Sequence, residues 1–184
     1  VVVADLEDNK AIKKLTQTIK SLDLLVNNAA VFYPTSTENS TIKDWDKIIN
    51  INLRAPFFIA MGLSKVLAVN QGSIVNIIDI HSDRPLKNHS IYNISKAGLK
   101  MLTKTLAKDL APNIRVNGVS PGSILWPQDS TELSEEEKLN MLDRIALKRQ
   151  GSTEDIAEAV LFLADAKYIT GQVINIDGGR SLNQ

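Results

Sequence analysis

The chain contains no cysteine, which excludes disulfides, thiolate metal sites and a cysteine nucleophile, and suits a reducing compartment. It has no excess of either charge, since Lys plus Arg and Asp plus Glu both number 21. A balanced chain lacks the basic stripe of a nucleic-acid or anionic-membrane binder, so neither partner is expected. Long apolar runs are missing as well. Asn, Asp, Lys or Arg interrupts every one, and no membrane span is expected. Val1-Val2-Val3-Ala4-Asp5 has neither the basic flank nor the apolar length of a signal peptide. No G-x-x-x-G-x-G or G-x-G-x-x-G occurs, so these residues hold no glycine-rich phosphate loop. What remains is ordinary for a soluble, cytoplasmic protein: 43% hydrophobic and 23% charged residues in 184, enough for one domain with a real core.

Short β-branched runs alternate with longer segments of helical period, which predicts βαβ units around a parallel sheet. Strands are expected at Val1–Ala4, Leu22–Val26, Ser73–Ile78, Arg115–Val119 and Gln172–Ile176. Ile12, Leu15, Ile19 and Leu22 recur near helical spacing between the first two. Thr41 with Asp44 predicts a helix start, and the helix should run to about Val69 with a kink or break at Pro56. Further helices are expected at Tyr92–Leu110, at Ser134–Ala146 with its acidic first turn, and from Ser152 with Asp155 to about Ala164.

Tyr92-Asn93-Ile94-Ser95-Lys96 places a phenol and an ammonium one helical turn apart. An ammonium and a helix N-terminus both stabilise a phenolate, so the pair can make an acid–base group near neutrality. The same spacing also fits a plain helix with an exposed Lys and a half-buried Tyr. Asn27-Asn28-Ala29-Ala30 follows a strand, where small and amide residues let a flat ligand approach; a polar turn reads equally well. Asn52 stands in mid-helix, where Asn is a poor helix former, and could hold a water or mark the break near Pro56. Pro121-Gly122 allows a tight turn beside a ligand, and is also simply good turn chemistry.

In this order and spacing, N-N-A-A, Asn50-Ile51-Asn52-Leu53, Y-x-x-x-K, Arg115 through Gly122, and Thr170-Gly171 through Asp177-Gly178-Gly179 resemble the short-chain dehydrogenase/reductases. The resemblance spans the chain without an internal gap. It implies a Rossmann-type, doubly wound parallel sheet in three αβα layers, with residues 1–184 as a single domain incomplete at its N-terminus. It implies a nicotinamide-dependent oxidoreductase in which Tyr92 donates or accepts the proton. Lys96 would lower the phenol pKa and bond the ribose, and Asn52 would hold a water of the proton relay. Asp5 would contact the adenine, Asn27 and Ala29 would line the cofactor site, and the backbone at Pro121, Gly122 and Ser123 would meet the nicotinamide amide.

One residue departs from that pattern. Most of the family carries a Ser thirteen positions before the Tyr; here the residue is Asp79. A carboxylate repels a carbonyl oxygen that is gaining negative charge, and suits a substrate that presents N–H donors or takes a proton on a ring nitrogen. Asp79 resembles the residue of pteridine reductases, as do Asn27 through Thr35 and the ending Asp177-Gly178-Gly179-Arg180-Ser181-Leu182. This implies NADPH-dependent pterin reduction, with dihydrofolate as a further substrate, Phe32 stacking the ring and Trp126 on the substrate-side loop. Read without the resemblance, Phe32 fits plain core, Trp126 fits packing, and His81 a solvated loop. Asp79 also fits a member that lost its Ser and its activity. The alternative function is reduction of a ketone such as a 3-oxoacyl or sugar substrate; a non-catalytic nucleotide-binding relative is a third.

The resemblance begins at the family's third strand, Val1–Ala4. Two strands that would sit between it and Leu22–Val26 are absent, so a parent chain roughly a third longer is expected. The residues choosing NADPH over NADH would lie upstream of Val1. Family resemblance further implies a homotetramer assembled through the long helices Asp44–Leu67 and Tyr92–Leu110.

Overall fold

At three helix starts a hydroxyl residue stands three positions ahead of an acid, and at each the two groups cap one another. Thr41 Oγ1 accepts from the Asp44 N–H while Asp44 Oδ2 accepts from the Thr41 N–H. Ser134 with Glu137 and Ser152 with Asp155 do the same. Such a cap satisfies N–H groups that the first helical turn leaves without partners, and is typically worth about 1 kcal/mol. The computed structural model describes residues 1–125 and 134–182.

The helices are α1 (Asn9–Thr18), α2 (Ile42–Ile49), α3 (Ala55–Val69), α4 (Ser90–Asp109), α5 (Glu135–Asp143) and α6 (Thr153–Asp165). The strands are β1 (Leu24–Asn27), β2 (Ser73–Ile77), β3 (Arg115–Pro121) and β4 (Val173–Ile176). Among the described residues they form one sheet in the order β1-β2-β3-β4, parallel throughout. Ile74 and Val116 turn one way, into a core with Ile59, Leu63 and Leu67 of α3 and Leu106 of α4. Val75 and Val119 turn the other way, onto Leu163 of α6. Successive strand residues face opposite sides, so helices on both faces bury both sets, and the expected three-layer αβα Rossmann-type sheet results. Each fully buried Leu or Ile here contributes about 1.5–3 kcal/mol.

Val1–Ala4, expected as a strand, forms none; Val1, Val2 and Val3 are exposed. A strand exists only where a neighbour takes its N–H and C=O groups, and among the described residues nothing pairs with the outer edge of β1. The expected break near Pro56 takes a specific form. Asn50–Arg54 is a π-helical turn joining α2 to α3, and Pro56 occupies the first turn of α3, where its missing N–H does no harm. The joined helix Ile42–Val69 is long and apolar enough to cross a membrane by length and composition, contrary to the expectation that no stretch approaches a span, although Asn50, Asn52, Arg54 and Lys65 interrupt it. In the fold its Ala55, Ile59, Ala60, Leu63 and Leu67 are buried against α1 and the sheet, as in a core helix.

Candidate active site

Parallel strands all point their C-terminal ends to one edge of the sheet, so the residues that follow them gather there. Asn28 follows β1, Asp79 follows β2, and Pro121-Gly122 ends β3. All of them line one cleft of about 950 Å³, together with Tyr92 from the first turn of α4 and Phe32 from the β1–α2 loop. Leu24, Val26, Ile77 and Val160 make much of the remaining wall apolar.

The Tyr92 hydroxyl donates to Asp79 Oδ2 at 2.7 Å, and Asp79 Oδ1 accepts the His81 N–H at 2.8 Å. His81 therefore holds the carboxylate by its backbone, and its Nδ1 lies 2.8 Å from the Arg84 carbonyl. It also lines the cleft and is half-buried, so it hydrogen-bonds at the site while keeping part of its surface in solvent. Lys96 is buried one turn below Tyr92, with its Nζ 5.7 Å from the ring centroid and donating to the Ile77 carbonyl at 2.9 Å.

This arrangement corrects the expected tuning of the phenol. Burial, then the Asp79 charge, then the hydrogen bond to Asp79 all push Tyr92 far above its ordinary value. A carboxylate accepting the phenol proton favours the neutral phenol, and a phenolate beside it would be repelled. Tyr92 is thus held protonated. Lys96 is the perturbed partner: burial pushes its ammonium down to about 8, partly offset by Asp79.

Asn52 lies in the π-helical turn, 1% exposed. Its Oδ1 accepts the Val31 N–H at 2.8 Å, and its Nδ2 donates to the Val31 carbonyl at 3.0 Å and to Ser95 Oγ at 3.2 Å. The side chain expected to hold a relay water clamps the loop that carries Phe32 to helix α4. Asn27, expected to line the cofactor site, also bonds inward. Its Nδ2 donates to Asn76 Oδ1 at 2.8 Å, and Asn76 Nδ2 donates to Thr103 Oγ1 at 2.9 Å. That chain ties β1, β2 and α4 together below the cleft. Asn76 escaped the sequence reading; its signal is an amide inside a β-branched strand, where it must find partners.

Phe32 is 57% exposed and so is not core. Its ring stacks on His89 at 4.7 Å with 12° between planes, and meets Tyr92 edge-on at 4.8 Å. Gly122 N–H donates to the Ile176 carbonyl at 3.0 Å, and a Cβ at Gly122 would lie 2.7 Å from Asp177 Cβ, so only glycine permits this approach. Ser123 lines the cleft with its Oγ 3.4 Å from Met141 Sδ. Asp5 is exposed and accepts the Glu7 N–H at 2.8 Å, shaping the turn into α1; Ala29 lines a separate cavity of about 270 Å³ beside Leu6. Trp126 lies outside the described residues. Among the described residues no group of three His, Asp or Glu could hold a metal ion.

The residues present fit the nicotinamide end of a dinucleotide. The cleft has the position and volume for a flat ring, and among the described residues Lys96 uses one of its three N–H donors, leaving donors for ribose hydroxyls.

Comparison with known proteins agrees with the geometry. Residues 1–181 match the family profile described as enoyl-(acyl carrier protein) reductase. The 3-oxoacyl-(acyl-carrier-protein) reductase of Thermotoga maritima is 39% identical over 174 residues, covering 92% of this chain and 70% of that protein. The L-xylulose reductase of Mus musculus is 36% identical over 184 residues, covering 97% and 75%. A structure of a putative short-chain alcohol dehydrogenase from Sinorhizobium meliloti superposes with a TM-score of 0.91 at 31% identity, covering 99% of this chain and 76% of that one. A blue fluorescent protein from a metagenomic library, solved with NADPH, gives 0.85 at 30% identity, covering 96% and 74%. With its αβα sheet, its Tyr–Lys pair at the sheet edge and these relatives, the chain belongs to the NAD(P)-dependent oxidoreductases of the short-chain dehydrogenase/reductase family.

Proposed function

We propose that the protein reduces a ring C=N bond of a pterin-like heterocycle, with NADPH as the hydride donor. The observation that carries this reading is the 2.7 Å hydrogen bond from Tyr92 to Asp79 inside the cleft. A bound nicotinamide nucleotide supplies the hydride to the ring carbon. Tyr92, held neutral, gives its proton to the ring nitrogen, so that C=N becomes CH–NH, and solvent returns the proton afterwards. Asp79 accepts hydrogen bonds from the N–H groups of such a ring, which a ketone does not have. Phe32 offers the ring an aromatic face, and Lys96 anchors the ribose.

A second reading, reduction of a ketone, is favoured by the names of the relatives, which are a 3-oxoacyl reductase and an L-xylulose reductase. Against it stands the charge of Asp79, which opposes a developing alkoxide. NADPH oxidation by the full-length gene product separates the two. Dihydrobiopterin should be turned over, and 3-oxoacyl thioester and L-xylulose should not. Turnover of the ketones alone would replace the pterin assignment, and failure to bind any nicotinamide nucleotide would point to a non-catalytic role.

For the assembly we propose a homotetramer packed through α3 and α4. Phe57, Phe58 and Met61 on α3 and Ile94 and Met101 on α4 are exposed apolar side chains on these helices. Burying such side chains is what a subunit interface does.

A further inference from the structure

Resting on the pterin reading, we propose that Arg180, backed by Arg84, forms an anion-recognition site, and that the cleft takes ring substrates whose side chain carries a carboxylate or phosphate. Arg180 opens the short turn Arg180–Leu182 and lines the same cleft as Asp79, Tyr92 and Phe32. Its place is fixed by its own backbone. Asp177 Oδ1 accepts the Gly179 N–H at 2.9 Å, Oδ2 accepts the Ser181 N–H at 2.8 Å, and the Arg180 N–H donates to the Asp177 carbonyl at 3.0 Å. Asp177, the carboxylate whose charge favours Arg180, thus directs both oxygens to backbone donors rather than to the guanidinium.

Among the described residues the guanidinium, with five N–H donors, makes one hydrogen bond, a long one of 3.5 Å to the Met141 carbonyl. Arg84 Nη1 donates to the Arg180 backbone carbonyl at 3.1 Å, which holds a second positive charge near Arg180. Among the described residues neither arginine pairs with a carboxylate within 4.0 Å. Half-burial and the neighbouring charges of Arg144 and Arg84 all disfavour the charged form of Arg180. A cation held this way in a largely apolar cleft is costly without a counter-charge, and a bound anion relieves it. Carboxylate and phosphate both match the planar fork of a guanidinium.

The test uses the full-length protein and three dihydropterins: dihydrobiopterin with a neutral side chain, dihydrofolate with carboxylates, and dihydroneopterin triphosphate with phosphates. Steady-state constants are measured for the parent, Arg180→Gln and Arg180→Lys, with NADPH affinity followed by fluorescence titration. Arg180→Gln should raise KM for the preferred anionic substrate roughly ten- to hundredfold and leave kcat near the parent value. Dihydrobiopterin should change by no more than about twofold, and Arg180→Lys should recover part of the loss. Which anionic substrate the parent prefers identifies the source of the anion. Equal losses for neutral and anionic substrates would overturn the inference, as would weakened NADPH binding, which would assign the arginine to the cofactor. No turnover of any dihydropterin by a parent that binds NADPH normally would remove the pterin reading, and this inference with it.

Discussion

Tyr92 and Asp79 share a hydrogen bond of 2.7 Å in which the phenol donates and the carboxylate accepts. The pair reverses the charge logic of a phenol tuned by an ammonium alone, because the nearest ionic partner of the hydroxyl is negative. Replacing Tyr92 by Phe should abolish turnover. Replacing Asp79 by Ser should lower pterin turnover roughly a hundredfold and raise activity on ketones. Replacing it by Asn removes the charge that helps to hold the phenol up, so Tyr92 should ionise at lower pH, read from the ultraviolet absorbance of phenolate. An unchanged titration in Asp79→Asn would leave burial alone as the cause.

Lys96 links the site to stability. Its ammonium is held at about 8 in the fold against 10.5 in a free side chain. Between those values the unfolded chain binds a proton that the folded chain has released, so stability rises with pH across this window and the benefit is lost below about 8. Chemical denaturation from pH 7 to 10 should show a gain of a few kcal/mol in the parent and a flat profile in Lys96→Met. A parallel rise in both proteins would assign the effect to another group.

Asn52 fastens the loop carrying Val31 and Phe32 through two hydrogen bonds to Val31, and a third ties it to Ser95 of α4. Asn52→Ala leaves the N–H and C=O of Val31 without these partners, and should cost roughly 2–4 kcal/mol in denaturant titration. Asn52→Asp retains an acceptor for the N–H but gives the carbonyl no donor, so it should recover only part of that loss.

Phe32 presents a different case, because it is more than half exposed. Phe32→Ala should leave the melting temperature nearly unchanged while raising KM for a pterin roughly tenfold. A large drop in melting temperature at constant KM would make Phe32 a packing residue after all.

The exposed apolar side chains of α3 and α4 should hold subunits together. Light scattering should show a tetramer for the parent and smaller species for Phe58→Glu combined with Met101→Glu. A parent that runs as a monomer at high concentration would dismiss the proposed assembly.

Helix starts were readable from the sequence because a capping box is local: Thr41 and Asp44, or Ser152 and Asp155, lie three residues apart. The strands of the sheet were readable for a similar reason, as β-branched runs that must be buried on both faces. Val1–Ala4 shows the limit of that logic, since its composition suits a strand and among the described residues no neighbour pairs with it. Trp126 lies outside the described residues, and its expected place beside the substrate is untouched by the structure.

Local patterns in the sequence thus determined the alternation of helix and strand and the parallel sheet, and the family resemblance implied the gathering of Asp79, Tyr92, Lys96 and Pro121-Gly122 at one edge. The tertiary structure alone decided what the polar groups there do. Asn27 meets Asn76 across 49 positions, Asn52 meets Ser95 across 43, and Arg84 meets Arg180 across 96. The direction of a pKa shift depends on burial and on which charge lies within a few ångströms. Both are properties of the folded packing, and no residue spacing along the chain encodes them.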